Sequence, residues 1–102
     1  MSFSVRISPA AKADIVRLYR FIVERDNPDW FLAERAIKAI EDAMDLLGKN
    51  PFSCRKASAD TPFLRELIIP FGAAGYVALF EIDNAEWVTV LAVRHQLEED
   101  YH

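Results

Sequence analysis

The sequence predicts an α+β fold: an antiparallel sheet with an N-terminal strand, a two-helix hairpin packed on one face, then three C-terminal strands, in the order β-α-α-β-β-β. Three observations predict it. Apolar residues in the first half recur at spacings of three and four over two long segments, the period of a helix with one buried face. Apolar residues in the last third alternate, the period of a half-buried strand. Proline and glycine clusters stand between these segments and stop each one.

The elements follow in order. Phe3, Val5 and Ile7 alternate with Ser4, Arg6 and Ser8, a short strand with one buried face. Ser8-Pro9 opens a helix: the serine hydroxyl accepts a backbone N–H, and proline suits the first turn because no partner there needs its missing N–H. Ala11, Ile15, Leu18 and Ile22 form its stripe, widened by Tyr19 and Phe21. Asp26-Asn27-Pro28 should end it, since the residue before proline avoids helical angles. A second helix carries Ala33, Ile37, Ile40, Met44 and Leu47, with Ala36 and Ala43 small enough for close helix approach. Gly48-Lys49-Asn50-Pro51 is its stop signal. Two helices this short need a sheet to pack against.

Phe52–Thr61 is polar and reads as an exposed loop. Leu64–Phe71, Tyr76–Asp83 and Trp87–Arg94 read as strands, joined through Gly72-Ala73-Ala74-Gly75 and Asp83-Asn84-Ala85-Glu86 as antiparallel hairpins. Simple alternation in the last strand puts Val88, Val90, Ala92 and Arg94 on one face, opposite Trp87, Thr89, Leu91 and Val93. His95 then points away from Arg94. The helical hairpin covers one sheet face and leaves the other partly open.

Composition narrows the function. The 102 residues make one domain, 1–102. A hydrophobic share of 52% with 27% charged residues is that of a soluble globular protein. The longest apolar run is far short of a membrane span, and the start lacks the apolar core of a signal peptide. Cys54 is the only cysteine, so no intrachain disulfide forms, as suits a reducing, cytoplasmic setting. The net charge of −4 opposes high-affinity binding to nucleic acid.

Arg94-His95 followed by Tyr101 looks like a nuclease ending. Yet Ala59–His102 has two basic residues, Arg65 and Arg94, against eight acidic ones. A surface that grips and cleaves RNA has to neutralise phosphates. Glu98, Glu99 and Asp100 beside Tyr101 would repel RNA. Lys49, Arg55 and Lys56 form only a small basic group. Asp14, Glu41 and Asp45 have no His or Cys beside them, so no metal site is expected. No phosphate-cradling glycine loop or nucleophile elbow is present. Trp30 and Phe31 precede the second helix's interior stripe, and large apolar side chains left outside a core mark partner sites or cap the core's end.

Four segments in order carry a resemblance: Val5-Arg6-Ile7-Ser8-Pro9-Ala10-Ala11-Lys12-Ala13-Asp14-Ile15, Ala43-Met44-Asp45-Leu46-Leu47-Gly48-Lys49-Asn50-Pro51, Leu64-Arg65-Glu66-Leu67 and Val90-Leu91-Ala92-Val93-Arg94-His95-Gln96. Together they resemble the RelE/ParE superfamily of toxins from bacterial type II toxin–antitoxin modules, and within it the ParE-like branch. The resemblance implies a toxin that inhibits DNA gyrase, arrests growth and serves plasmid stabilisation, without a cofactor. It also implies a ParD-like or similar cognate antitoxin, which wraps the toxin in a hetero-oligomer and carries a DNA-binding domain that represses the operon. Trp30, Phe31, Arg65 and Arg94 are then the expected partner contacts.

The alternative is a RelE-like, ribosome-dependent and metal-independent mRNA endonuclease using Arg65, Arg94, His95 and Tyr101. A third reading is an inactive member that only stabilises its antitoxin. For Arg65 the plainer role is an ion pair; for His95, a backbone hydrogen bond; for Tyr101, part of a solvated tail.

Overall fold

The computed structural model describes residues 2–24, 29–72 and 74–96. Strand β1 (Ser4–Ile7) leads into helices α1 (Pro9–Val23) and α2 (Trp30–Lys49). A 3-10 turn at Pro51–Ser53 precedes β2 (Arg55–Lys56), β3 (Leu64–Ile69), β4 (Tyr76–Ile82) and β5 (Trp87–His95). The five strands form one sheet in the order β1-β5-β4-β3-β2. Among the described residues, no helix is long and apolar enough to cross a membrane.

The expected order of elements is present, with two differences. The sheet is mixed: β1 joins β5 in parallel, Val5 opposite Val88 and Ile7 opposite Val90. The helical hairpin carries the chain across the sheet face, and the β3-β4-β5 meander brings β5 back alongside β1 in the same direction. The other difference lies in the expected loop, where Arg55 and Lys56 pair antiparallel with Glu66 and Arg65 of β3.

Each helix start follows its local chemistry. The Ser8 hydroxyl accepts the Ala11 N–H, with Pro9 in the first turn, and the Asp29 carboxylate accepts the Leu32 N–H. The expected stop at Asp26-Asn27-Pro28 lies outside the described residues except for the helix end at Val23 before it. The helix ends within the expected Gly48–Pro51 run, at Lys49, and Gly48 has a further role there. It lies buried within the last turn of α2, where its carbonyl accepts the Phe3 N–H at 2.6 Å. A Cβ there would stand 3.0 Å from the Phe3 carbonyl oxygen, so glycine permits the helix to touch β1. Gly75, at φ +102°, closes the turn before β4 in a conformation that glycine tolerates.

The core lies between the helices and one sheet face. Ala11, Leu18, Ile22, Ala33, Ala36, Ile40 and Leu47 meet Ile69, Ala78, Phe80, Ile82, Val88, Val90 and Val93. Val93 breaks the alternation expected for β5. Phe80 pairs with Val90 but Leu79 pairs with Ala92, so Leu91 is an extra residue, a β-bulge. Before the bulge even-numbered residues face the helices; after it odd-numbered ones do. Arg94 therefore lies on the open face with Ala92 and Thr89, and not on the face of Val88 and Val90. Two side chains hold this irregular stretch: the Ser8 hydroxyl donates to the Leu91 carbonyl at 3.3 Å, and the Asp14 carboxylate accepts the Val93 N–H at 2.9 Å.

Candidate functional site

Two surfaces gather the residues of interest: the open sheet face and the exposed end of the helical hairpin. On the open face, β1 contributes Arg6, β2 Arg55, β3 Glu66 and Ile68, β4 Val77, Leu79 and Glu81, and β5 Thr89, Ala92 and Arg94. The cross-strand pairs that order them are Glu66–Leu79, Ile68–Val77, Glu81–Thr89, Leu79–Ala92 and Val77–Arg94.

Charge on this face is balanced. Arg55 Nε donates to Glu66 at 3.0 Å. Arg6 lies 4.0 Å from Asp83, and its guanidinium stacks 4.4 Å from the centre of the Trp87 ring. Asp83 also accepts the Thr89 hydroxyl at 2.5 Å. Carboxylates beside Arg6 and Arg55 cancel much of the field a phosphate would feel. The acidic excess of the C-terminal part does not make the face acidic, because β1 and β2 bring in their own arginines.

Arg65 sits on the opposite, helix-side face, in register with the buried Phe80. Its guanidinium clasps the chain: Nε donates to the Pro62 carbonyl at 2.9 Å, and Nη1 donates to the carbonyls of Cys54 at 2.8 Å and Phe52 at 3.2 Å. It also lies 5.3 Å over the Phe52 ring. The fork fits this task because its donors diverge in one plane. Burial pushes the neighbouring Cys54 thiol up from its ordinary pKa, against the lowering effects of the Ser53 hydrogen bond and the Arg65 charge. A protonated, half-buried thiol is a poor nucleophile.

His95 points to the helix side at the far end of β5. Its ring meets Tyr76 edge-on at 5.7 Å, and Tyr76 stacks on Phe71 at 5.8 Å. Burial raises the pKa of the Tyr76 hydroxyl. The expected nuclease residues are thus not brought together. Arg94 and His95 occupy opposite faces. Arg65 and His95 share a face, but their partners Phe80 and Tyr76 are four residues apart on β4, about 13 Å of strand. Tyr101 lies outside the described residues.

At the end of the hairpin where α1 passes into α2, Trp30 and Phe31 are 59% and 79% exposed, which fits an unpartnered surface more than a capped core. Phe21, 72% exposed near the end of α1, joins them. Helical spacing counted Phe21 toward the stripe, but it falls on the flank beside Arg17. Sequence reading also missed the Arg6–Trp87–Asp83–Thr89 group. The alternation of β1 put Arg6 on the polar face, but no local signal told that β1 runs beside β5.

Comparison with known proteins adds three findings. Residues 5–100 match a family described as ParE toxin of type II toxin-antitoxin system, parDE. Two relatives from Caulobacter vibrioides are similar over nearly their whole length: Toxin RelE1, 35% identical over 97% of this chain and 99% of that one, and Toxin RelE3, 32% identical over 93% and 96%. The fold resembles a solved structure of a chromosomal ParDE TA system from P. aeruginosa, with a TM-score of 0.69 at 18% identity, covering 92% of this chain and 96% of that one.

Proposed function

Because the chain belongs to the ParE toxin family of type II toxin–antitoxin systems, within the RelE/ParE superfamily, we propose that it is a cytoplasmic toxin that inhibits DNA gyrase and is held inactive by a cognate antitoxin. The observation that carries the gyrase reading is the dispersal of the nuclease set. Arg65 serves backbone carbonyls, and Arg94 and His95 face opposite ways. Metal-independent RNA cleavage needs an acid, a base and a phosphate-binding cation within reach of one phosphodiester. A protein that acts by binding another protein needs none of these. Arg94, on the open face, is the target contact in this reading, and Trp30 and Phe31 contact the antitoxin.

The second reading, a ribosome-dependent mRNA endonuclease, is favoured by the names of the Caulobacter relatives, both RelE toxins. In it the ribosome supplies the positive field that the open face lacks. Antitoxin-free protein, added in parallel to a gyrase supercoiling assay and to ribosomes loaded with mRNA, separates the two. Loss of supercoiling or trapped cleaved DNA with intact mRNA is the expected result. Cleaved mRNA with unaffected gyrase, abolished by Arg94→Ala, gives the endonuclease reading instead. No growth arrest on expression without antitoxin marks an inactive member that only stabilises its antitoxin.

A further inference from the structure

Three phenylalanines cross one end of the molecule. The Phe3 and Phe52 rings lie 6.3 Å apart between centres, and Phe52 and Phe63 lie 6.4 Å apart, at interplanar angles of 64° and 76°. The row runs from β1 to β3, which β5 and β4 separate in the sheet, just past the end of α2. Phe3 packs on the core, but Phe52 and Phe63 stand outside it and are 49% and 56% exposed. Rings that only sealed the core would face inward. Two half-exposed rings held edge to face are an apolar surface of the kind that anchors a protein partner.

The row is braced and positively charged. Arg65 lies over the middle ring and is itself fixed by its three carbonyl bonds, so less side-chain freedom is lost when a partner docks. Lys56 is the cross-strand partner of Arg65, which puts the two side chains on one face. Lys49, the last residue of α2, stands with Phe3 on the wall of the cleft between β1 and α2. From Lys49 to Arg65 the chain has four basic residues and one acidic residue, Asp60. Arg55 is neutralised by Glu66 on the open face. Lys49 and Lys56 are exposed, and among the described residues no ion pair closes either of them.

We propose that this end of the toxin binds an acidic segment of its protein target, with an apolar side chain of the segment against Phe52 and Phe63 and its carboxylates facing Lys49 and Lys56. The proposal rests on the reading of this chain as an inhibitor that acts by binding DNA gyrase, and it adds a second contact to Arg94. Trp30 and Phe31, the antitoxin contacts in that reading, stand at the other end of α2, about 28 Å away along the helix. Two other occupants fit less well. Single-stranded RNA stacks its bases on ring faces, but these rings meet edge to face, and Arg65 takes a face of the middle one. A second copy of the chain would bring its own Lys49 and Lys56 against this pair, and like charges at an interface oppose association.

The test is the affinity of antitoxin-free toxin for purified DNA gyrase, measured for the wild type, F52S/F63S and K49E/K56E. Melting temperature and affinity for the full-length antitoxin of the same operon are the controls. Both variants should bind gyrase about tenfold or more weakly, while antitoxin affinity stays within about twofold. The loss in K49E/K56E should shrink as salt rises, and K49R/K56R should bind as the wild type does. Where F52S/F63S melts early, K49E/K56E, which alters only exposed side chains, decides alone. Unchanged gyrase affinity in K49E/K56E overturns the proposal and leaves the gyrase reading standing. A loss of antitoxin affinity in place of gyrase affinity overturns it too, as does binding of a labelled single-stranded oligoribonucleotide that K49E/K56E loses while gyrase affinity holds. A wild-type chain that binds no gyrase overturns both the proposal and the gyrase reading.

Discussion

The carboxylate of Asp14, on the first helix, accepts the backbone N–H of Val93, on the last strand, at 2.9 Å. This bond fastens the stretch where Leu91 disturbs the ladder, and the disturbance decides which way Arg94 faces. Asp14→Ala leaves a part-buried amide without an acceptor. It should lower stability by about 1–3 kcal/mol, read as a shift in the urea midpoint. Asp14→Asn, which keeps an oxygen in place, should recover most of the loss. A midpoint unmoved in Asp14→Ala would mean that the ladder holds the bulge unaided.

Arg65 separates a structural role from a target-binding one. Its guanidinium donates to three carbonyls on two segments. Arg65→Ala should destabilise the fold by about 1–2 kcal/mol and speed proteolytic cleavage around residues 52–63. Arg65→Lys keeps the charge but loses the fork, and should recover only part of the stability. Lost activity with unchanged melting temperature and proteolysis would show instead that the side chain acts on the target.

Gly48→Ala sets two effects against each other. Alanine favours a helix over glycine by about 1 kcal/mol. The new Cβ would press on the Phe3 carbonyl at 3.0 Å, and that backbone is tied in place by its own bond to Gly48. Overpacking against a held neighbour costs about 1–3 kcal/mol, so the net change should be a lower melting temperature. A rise would show that β1 shifts freely.

Trp30→Ala and Phe31→Ala remove rings that are mostly in solvent. Stability should change by less than about 0.5 kcal/mol, while affinity for the antitoxin falls, as measured by calorimetric titration. Equal affinity in both variants would remove this end of the hairpin from the interface.

Stability should decline in alkaline solution in two steps. The Cys54 thiol and Tyr76 hydroxyl both have folded pKa values raised by burial above their ordinary 9.0 and 10.0. Between the ordinary value and the raised one the unfolded chain loses a proton that the folded chain keeps, so folding weakens as pH rises through that window. Below pH 9 the contribution is fully present. Cys54→Ala should remove the lower step and Tyr76→Phe the upper one, in melting curves taken from pH 8 to 11.

The sequence was legible where structure depends on neighbours along the chain. Ser8 and Asp29 cap their helices through bonds three residues away, and the stripe from Ala11 to Ile22 is a local period. It was not legible where distant segments meet. The extra residue in β5 lies where Ser8 and Asp14, some 80 positions upstream, bond to the strand, a meeting invisible along the chain, so simple alternation placed Arg94 on the face of Val88 and Val90. The charge of the open face was misread for the same reason: Arg6 and Arg55 arrive from β1 and β2. The run Gly48–Pro51 does end the second helix, at Lys49, but the contact of Gly48 with Phe3 cannot be seen in that run.

The parallel pairing of β1 with β5 has a consequence for how the toxin comes into being. Ser4 finds its partner at Trp87, so nearly the whole chain must be synthesised before the first strand can be docked. Folds that depend on such distant pairing form slowly, because a long loop has to close before any contact rewards it. A partly made chain still in the exit tunnel lacks β5, and with it both Arg94 and the support for β1. The fold is therefore completed only late in synthesis, and the interval before the last strand docks gives a waiting partner time to reach the chain.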